Sequence, residues 1–240
     1  MRWFAPVVRP AEPERTGFLT RLLGKPAAPL AGPTEQLGGA PFGLAPERWP
    51  RCRECGKSQS LLAQFVHHAD RLDLGGDGRT LFVFQCSHDP GMCDSWEPTS
   101  GANAAFVVEQ TELGSTATPV PGDNPPADPT VAISDWVGHD DGIAEADRWR
   151  YSDEASLAAL TDEQRDKVPA GTRLGSVPWW VQSPYEMVRE WRFVGQLDSA
   201  DTHAYPNGAG PNFGDAGIAY IYLKDRPGEV PEAFVFWQCC

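Results

Sequence analysis

The chain repeats a four-part pattern, and this recurrence is the strongest constraint on its fold. The first half contains LGGAP (37–41), LLAQF (61–65), GDGRTLFVFQC (76–86) and AAFVVEQ (104–110). The second half contains LGSVP (174–178), FVGQL (193–197), GDAGIAYIYLK (214–224) and EAFVFWQ (232–238). The third and fourth segments align without gaps, so Phe82 matches Tyr220 and Phe106 matches Phe234. Four matches in one order predict a duplication.

Both halves have the composition of β-structure. The runs LFVF, AFVV, IAYIY and AFVFW are short, aromatic and β-branched, and Gly, Pro, Asn or Asp bounds them. The LGxxP motifs suit a turn at the start of a strand, because Gly permits unusual dihedral angles and Pro stops a helix. We therefore expect one compact α+β domain over 1–240, mainly β, with antiparallel half-repeats at 37–112 and 172–240. A pseudo-twofold axis would relate the two.

Two segments lie outside the half-repeats. Residues 1–36 contain six prolines, which predicts an arm with little regular structure. Residues 113–171 form an acidic connector that begins as a Pro-rich loop, continues through the strand-like VAISDWVG and ends in a helical stretch. Ser152 is a candidate helix cap, and the spacing of Thr161 and Gln164 is a second capping-box pattern that favours two short helices.

The first half also carries a cysteine motif in the stretch WPRCRECGK, where Cys52 and Cys55 form Cys-x-x-Cys followed by glycine. Cys86 ends the third repeated segment, and Cys93 follows after SHDPGM. If the second and third segments pair as an antiparallel hairpin, Cys55 and Cys86 lie at the same end, and the loop returns Cys93 to them. Four converging thiolates suit tetrahedral Zn²⁺. The sequence predicts a zinc-ribbon-like knuckle holding one Zn²⁺ per chain.

The sequence leaves two alternatives to a site of four cysteine ligands. The second cysteine pair has a longer spacer than the first, so His88 is an alternative ligand in place of one cysteine, and buried reduced thiols would explain the cysteines without a metal. A closed set of four thiolates has no open position for water or substrate, which favours a structural site. In the second half Lys224 stands where the first has Cys86, so no zinc is expected there. Cys239 and Cys240 match no ligand position.

The charge of the chain limits its partners. The net charge is −13, which argues against nucleic-acid binding through phosphate neutralisation. Residues 1–60 hold nine basic and five acidic side chains, whereas 109–170 hold four basic and fourteen acidic ones. That acidic block is either a solvated surface or a docking surface for a basic protein. No apolar run has the length of a signal peptide or a membrane span, so we expect a cytoplasmic protein that does not use a membrane.

Five further residues are candidates for binding. The repeat pairs Gln64 with Gln196, and these amides either satisfy backbone groups or line a shared cleft with Asp215. Trp179 and Trp180 belong to an aromatic cluster that either packs in the core or lines an exposed peptide groove. No nucleophile–base motif, phosphate loop or dinucleotide fingerprint is present in the sequence.

The order of these motifs resembles the YwqG-like family of bacterial proteins. LGGAP, WPRCRECG, LLAQ and FVFQC resemble its first half, and LGSVPWWVQ, GQLDS, NFGDAGIAYIY and FVFWQ its second. That family is similar to the eukaryotic programmed-cell-death-two proteins, dedicated chaperones of a ribosomal protein, and some bacterial relatives occur near toxin systems. The sequence departs from many relatives at 183–191, where a second Cys-x-x-Cys is often expected, so the resemblance carries a metal only to the first half.

These observations together predict a non-catalytic protein- or peptide-binding module. The resemblance implies a chaperone-like or toxin-immunity-like role, and the acidic surface implies a basic protein partner. The alternative is a small-ligand-binding protein or an enzyme that uses a cleft between the two half-repeats.

Overall fold

The computed structural model describes residues 1–9, 34–88, 92–124, 129–205 and 210–240. Its strands are β1 Arg2–Arg9, β2 Gln36–Leu37, β3 Ser60–Val66, β4 Thr80–Gln85, β5 Asn103–Val108, β6 Val131–Asp140, β7 Arg173–Gly175, β8 Arg192–Asp198, β9 Ile218–Lys224 and β10 Glu232–Gln238. They close into an antiparallel barrel in the order β1-β6-β2-β3-β4-β5-β10-β9-β8-β7. The described helices are short: α1 Glu154–Ala158, α2 Asp162–Arg165, and 3-10 turns at Pro46–Arg48, Gln110–Glu112, Glu145–Tyr151 and Glu186–Glu190. The fold is mainly β, as predicted.

The two halves of the barrel share their strand pairing. In the first half Gln64 on β3 lies opposite Phe82 on β4, and in the second half Gln196 on β8 lies opposite Tyr220 on β9. Each pairing contains a bulge at the matching place, where residue 62 and residue 194 are skipped. The second and third repeated segments therefore form matching strands with matching register. The duplication itself stays a prediction.

The fourth segment corrects the sequence alignment. Phe106 on β5 lies opposite Phe82, whereas Tyr220 lies opposite Phe236 rather than Phe234. By register, the counterpart of Phe106 is Phe236, so the gapless alignment of this segment is wrong by two residues. A shift of two keeps every side chain on the same face of a strand, so the pattern of apolar residues alone could not detect it.

The barrel interior holds the main core, and two outer clusters cover its faces. Leu81 and Val83 of β4 point inward, and the intervening Phe82 and Phe84 point outward. The outer cluster of the first half includes Trp49, Phe82 and Phe84. The outer cluster of the second half includes Tyr220, Tyr222 and Phe236, packed against Trp180, Tyr185 and Trp191.

The N-terminal segment differs from its prediction. Arg2–Arg9 form β1, which pairs along its length with β6 and through Trp3 and Phe4 with β7, so the arm predicted over 1–36 is wrong for these residues. Residues 10–33 of the predicted arm lie outside the described residues. At Pro6 only β6 lies alongside β1, and proline is tolerated where a strand has one neighbour.

The connector follows its prediction closely. VAISDWVG lies within β6, and the helical stretch forms two short helices. Asp153, not Ser152, caps α1, because its carboxylate accepts a 2.9 Å hydrogen bond from the N–H of Ser156. Thr161 and Gln164 form the predicted capping box of α2. In the described part of the chain, every helix is too short or too polar to cross a bilayer.

Candidate metal centre

The β3–β4 hairpin brings the predicted ligands together. Ser60 at the start of β3 pairs with Gln85 at the end of β4. Cys52 and Cys55 precede β3 and Cys86 follows β4, so the antiparallel pairing places them at one end of the hairpin. Cys93 joins them from the following loop, and the four cysteines form one group. The predicted convergence is confirmed.

The spacing of the sulfur atoms fits a tetrahedral metal. All four Sγ atoms lie within 4.8 Å of one another, and those of Cys55 and Cys86 are 3.7 Å apart. A disulfide would require about 2.05 Å, and the cysteines are free thiols. Four sulfurs at about 2.3 Å from a central Zn²⁺ would lie about 3.8 Å from each other. The observed separation therefore matches the edge of a zinc–thiolate tetrahedron.

Local backbone geometry fixes the first pair. Gly56 has a φ of +73°, a region that glycine enters without steric cost, and this turns the chain after Cys55. The N–H of Gly56 donates to the carbonyl of Cys52 at 2.9 Å, and the N–H of Cys52 donates to the carbonyl of Lys57 at 2.8 Å. The Cys-x-x-Cys-Gly sequence thus forms a closed turn.

The third candidate ligand, Cys86, is hydrogen-bonded to the segment just before the neighbouring strand. The N–H of Cys86 donates to the carbonyl of Ala102 at 2.7 Å, just before β5 begins. Ala102 is fully buried and packs among the cysteines. The centre therefore sits where the preceding turn, the end of β4 and the start of β5 meet.

Burial controls the proton affinity of the thiols. Cys52, Cys86 and Cys93 are buried and Cys55 is partly exposed. Burial raises the pKa of Cys86 to about 11 and also raises the pKa of Cys93. For Cys55 burial acts in the same direction, but hydrogen bonds from the N–H of Lys57 and from neighbouring thiols outweigh it and lower its pKa. A metal that binds here must displace protons from the buried thiols.

His88 is not part of the thiol group. Its side chain is exposed, and the group capable of holding a metal in the described part of the chain consists of the four cysteines alone. The candidate ligand set is therefore the four cysteine sulfurs. Residues 89–91 of the loop that leads to Cys93 lie outside the described residues.

The second half connects the end of its β8–β9 hairpin to the segment before β8 without cysteines. Lys224 ends β9 where Cys86 follows β4, and its ammonium lies 2.8 Å from the carboxylate of Glu190, just before β8. The ammonium also lies 5.8 Å from the centre of the Trp191 ring. An ion pair and a cation–π contact thus link the end of β9 to the residues just before β8.

The paired glutamines have a structural role that is the same in both halves. Gln64 accepts a 2.8 Å hydrogen bond from the N–H of Phe42 and donates to the carbonyl of Thr34 at 3.3 Å. Gln196 accepts from the N–H of Trp179 at 3.1 Å and donates to the carbonyl of Gly171 at 3.0 Å. Both side chains are buried. They hold the LGxxP turns against β3 and β8.

The structure does not bring the five predicted cleft residues together. Gln64 on β3 and Gln196 on β8 lie on opposite sides of the barrel, since four strands separate β3 from β8 in either direction. Asp215 is exposed in the turn before β9, where its carbonyl accepts from the N–H of Cys240 at 3.3 Å. Trp179 and Trp180 alone share a cavity, of about 430 Å³.

Sequence reasoning missed a buried cation. Arg173 is 1% exposed and donates hydrogen bonds to the carbonyls of Pro169, Gly175 and Val177 and to the side-chain oxygen of Gln196, at 2.6–3.0 Å. Its bonds go to neutral oxygen atoms rather than to a carboxylate. Burial lowers the pKa of Arg173 to about 9, which leaves it charged at neutral pH.

The repeated sequence pattern could have indicated that Arg173 has a structural role in its turn. Gln36 stands at the matching position of the first half and donates to the carbonyls of Gly38 and Ala40, as Arg173 does to the matching carbonyls in its own turn. The negative charge of Asp141 partly offsets the effect of burial on the pKa of Arg173. A polar residue at this position is therefore part of the LGxxP turn in both halves.

No protein-family model matches the chain, and a search of curated proteins returns no match. The resemblance to the YwqG-like family therefore stays a prediction. The same holds for the chaperone-like or immunity-like role that it implies.

Proposed function

We propose that this chain is a non-catalytic protein-binding module whose first half is stabilised by one structural Zn²⁺ bound to Cys52, Cys55, Cys86 and Cys93. The observation that carries the proposal is the convergence of four thiols, with all sulfur atoms within 4.8 Å of one another, at one end of the β3–β4 hairpin. In this view the site is a zinc-ribbon-like knuckle on a duplicated β framework.

The ligand chemistry favours zinc in a structural role. Soft thiolates in a tetrahedral set select zinc or iron over the oxygen-preferring cations. Four protein ligands complete the coordination of Zn²⁺ and leave no position for water, which a catalytic zinc needs. The metal would fasten the turn before β3 to the end of β4, and its binding energy would add to the stability of the first half.

Protein binding is supported by surface chemistry. The chain has a net charge of −13, with fourteen acidic side chains against four basic ones over 109–170. Trp149 is 61% exposed and Trp179 is 44% exposed, and large exposed apolar side chains often mark contact surfaces. A basic protein partner in a reducing, cytoplasmic setting fits both the charge and the free thiols. By the family resemblance, the partner would be a chaperone client or a toxin.

Metal analysis of protein purified without chelator tests the metal centre. We expect about one zinc per chain, and Cys52→Ser and Cys93→Ser should each lower that content. Cys240→Ser is the matched control, because this thiol is exposed and lies outside the cluster, and it should leave the zinc content unchanged. A stable wild-type protein without metal, or with iron in place of zinc, would contradict the assignment.

Affinity capture with the zinc-loaded protein tests the binding role. We expect a basic protein from the native host to be retained and to bind again as a purified component. If no protein partner is found while a metabolite stabilises the chain in a thermal-shift screen, the small-ligand alternative replaces this proposal.

A further inference from the structure

The first half of the barrel meets the second through a short backbone contact where β5 lies beside β10, named here the β5–β10 seam. The backbone pairing at this seam consists of Phe106 with Glu232, although β10 continues to Gln238. On its other side β10 pairs with β9 at every residue from Glu232 to Gln238. Among the described residues, the remainder of the seam is therefore not joined by a backbone ladder.

A loop segment that begins at Cys93 bridges the β5–β10 seam. This segment, residues 93–96, is named here the strap. Ser95 of the strap is buried, and its Oγ accepts a 3.2 Å hydrogen bond from the indole N–H of Trp237 on β10. The carbonyl of Ser95 accepts a hydrogen bond from the side-chain amide of Asn103 on β5. One buried residue thus bonds to both strands of the seam.

The last residue of the strap adds an aromatic contact with β10. Trp96 packs against the main core, and its ring centre lies 6.1 Å from that of Trp237 at an interplanar angle of 79°. An edge-to-face arrangement at this distance is a favoured geometry for two aromatic rings. The strap therefore contacts Trp237 twice, once through a hydrogen bond and once through a ring.

The first residue of the strap belongs to the candidate metal centre. The sulfur of Cys93 lies within 4.8 Å of the other three cysteine sulfurs. The N–H of Ser95 donates to the carbonyl of Cys93 at 2.6 Å, so a tight turn separates the candidate ligand from the residue that bridges the seam. A metal that fixes Cys93 would therefore also fix the position of Ser95.

The strap has a weaker connection to the Cys-x-x-Cys turn that does not involve sulfur. The N–H of Asp94 donates to the carboxylate of Glu54 at 2.8 Å, and this bond is exposed. Water can replace an exposed hydrogen bond at little cost. Coordination of Cys93 by a metal shared with Cys52 and Cys55 would join the same two segments by bonds that contribute directly to folding.

We propose that the metal centre anchors the strap and thereby keeps the two halves of the barrel closed at the β5–β10 seam. Metal bound to Cys93 holds the strap where Ser95 and Trp96 reach Trp237. When the metal leaves, the strap loosens and the seam loses its side-chain bridge. The inference rests on the metal centre proposed above and extends its effect from the first half to the junction with the second.

Solvent exchange of the Trp237 indole proton, measured by NMR on the full chain with ¹⁵N-labelled tryptophan, tests this inference. The signal is assigned by its absence in Trp237→Phe. We expect exchange to become about tenfold faster or more when a chelator removes the zinc, because the hydrogen bond to Ser95 opens more often. The Trp180 indole is the internal control, because it donates to the carbonyl of Tyr151 within the second half, and its exchange should not change.

Variants of the loop separate the strap from the metal ligands. Ser95→Ala removes the acceptor of the indole hydrogen bond but no thiol, so it should speed exchange at Trp237 while the zinc content stays at about one per chain. Cys93→Ala releases the strap from the centre and should speed the same exchange with zinc present. Thr99→Ala is the matched control, because Thr99 is exposed in the same loop and bonds to the side chain of Glu97, and it should change neither quantity.

The outcomes separate this inference from the metal assignment. A chain that holds no metal would contradict both. If the chain holds zinc and its removal leaves the Trp237 indole as protected as before, the metal centre stands and the strap is wrong. Equal acceleration at Trp237 and Trp180 would indicate loosening of the whole fold and would also overturn the inference, as would wild-type exchange at Trp237 in Ser95→Ala.

Discussion

The ammonium group of Lys224 lies 2.8 Å from the carboxylate of Glu190. This ion pair connects the end of β9 to the segment before β8, the two places that correspond to Cys86 and the Cys-x-x-Cys turn in the first half. One half of the barrel thus closes its hairpin with an exposed ion pair and the other with four thiols. The two closures should differ in strength, because exposed ion pairs contribute little to stability.

Removal of metal should loosen the first half selectively. With a chelator, we expect faster amide hydrogen exchange in residues 50–58 and 86–88, because the turn and the hairpin end lose their shared ligand. Exchange in β8 and β9 should change little, since their closure does not use the cysteines. Exchange followed by mass spectrometry on wild type and Cys52→Ser measures this, and equal loosening of both halves would contradict it.

Cys86→Ser should destabilise the protein far more than Lys224→Met. Loss of a metal is among the few changes that lower the free energy of unfolding by more than about 4 kcal/mol, whereas Lys224 is partly exposed. Urea unfolding of both variants with zinc present gives the comparison. Similar midpoints for the two variants would show that the thiols do not bind a metal that stabilises the fold.

The ion pair also predicts a pH effect. The hydrogen bond from Lys224 lowers the pKa of Glu190 below its ordinary value. Because the folded-state pKa is depressed, the stabilisation is present above the unfolded-state pKa and is lost as the pH falls through the folded-state pKa. A carbon-detected NMR titration should show the pKa of Glu190 rising in Lys224→Met, and an unchanged pKa would mean that the pair does not form in solution.

The two buried glutamines should contribute similarly to stability. Gln64→Leu leaves the N–H and carbonyl of Phe42 without their partner, and each buried unsatisfied group costs about 1–3 kcal/mol. Gln196→Leu should cost a comparable amount, because its amide holds the matching turn at Trp179. Equilibrium urea unfolding measures both. A variant as stable as wild type would show that its turn does not depend on the amide.

Arg173 should tolerate glutamine better than methionine. Gln36 forms two of the corresponding turn bonds in the first half, so Arg173→Gln can retain bonds to Gly175 and Val177. Arg173→Met leaves these carbonyls and the oxygen of Gln196 without a donor. We expect the methionine variant to unfold at a lower urea concentration than the glutamine variant. The reverse order would mean that the cost of burying the cation exceeds the value of its bonds.

The sequence predicted what depends on local pairing. Cys55 and Cys86 could be placed together because one hairpin joins them, and the two connector helices could be placed because the Thr161–Gln164 capping box is a short-range signal. β1 was not predictable in this way. Its partner residues lie about 130 positions away in β6, and Pro6 suggested an irregular segment.

Strand register and the burial of Arg173 could not be predicted from the sequence. Side chains two residues apart on a strand point to the same face of the sheet. The sequence alone therefore could not distinguish the correct counterpart of Phe106, which is Phe236, from Phe234. A charged residue before LGxxP suggests a surface position, yet Arg173 is buried because the turn folds its own carbonyls around the guanidinium. The distance between Gln64 and Gln196 depends on the order of the strands in the closed barrel, because this order places β3 and β8 on opposite sides. The sequence does not determine that order.

Closure of the barrel has a consequence for self-association. β1 lies between β6 and β7, so no strand of the described barrel is left without a neighbour on either side. A row of unpaired backbone N–H and C=O groups is a template on which another chain can add a strand and start a polymer. Trp3 and Phe4 cover part of that template by pairing with β6 and β7 at once, and Pro6, which has no backbone N–H, interrupts the donor row in the stretch of β1 that pairs with β6 alone.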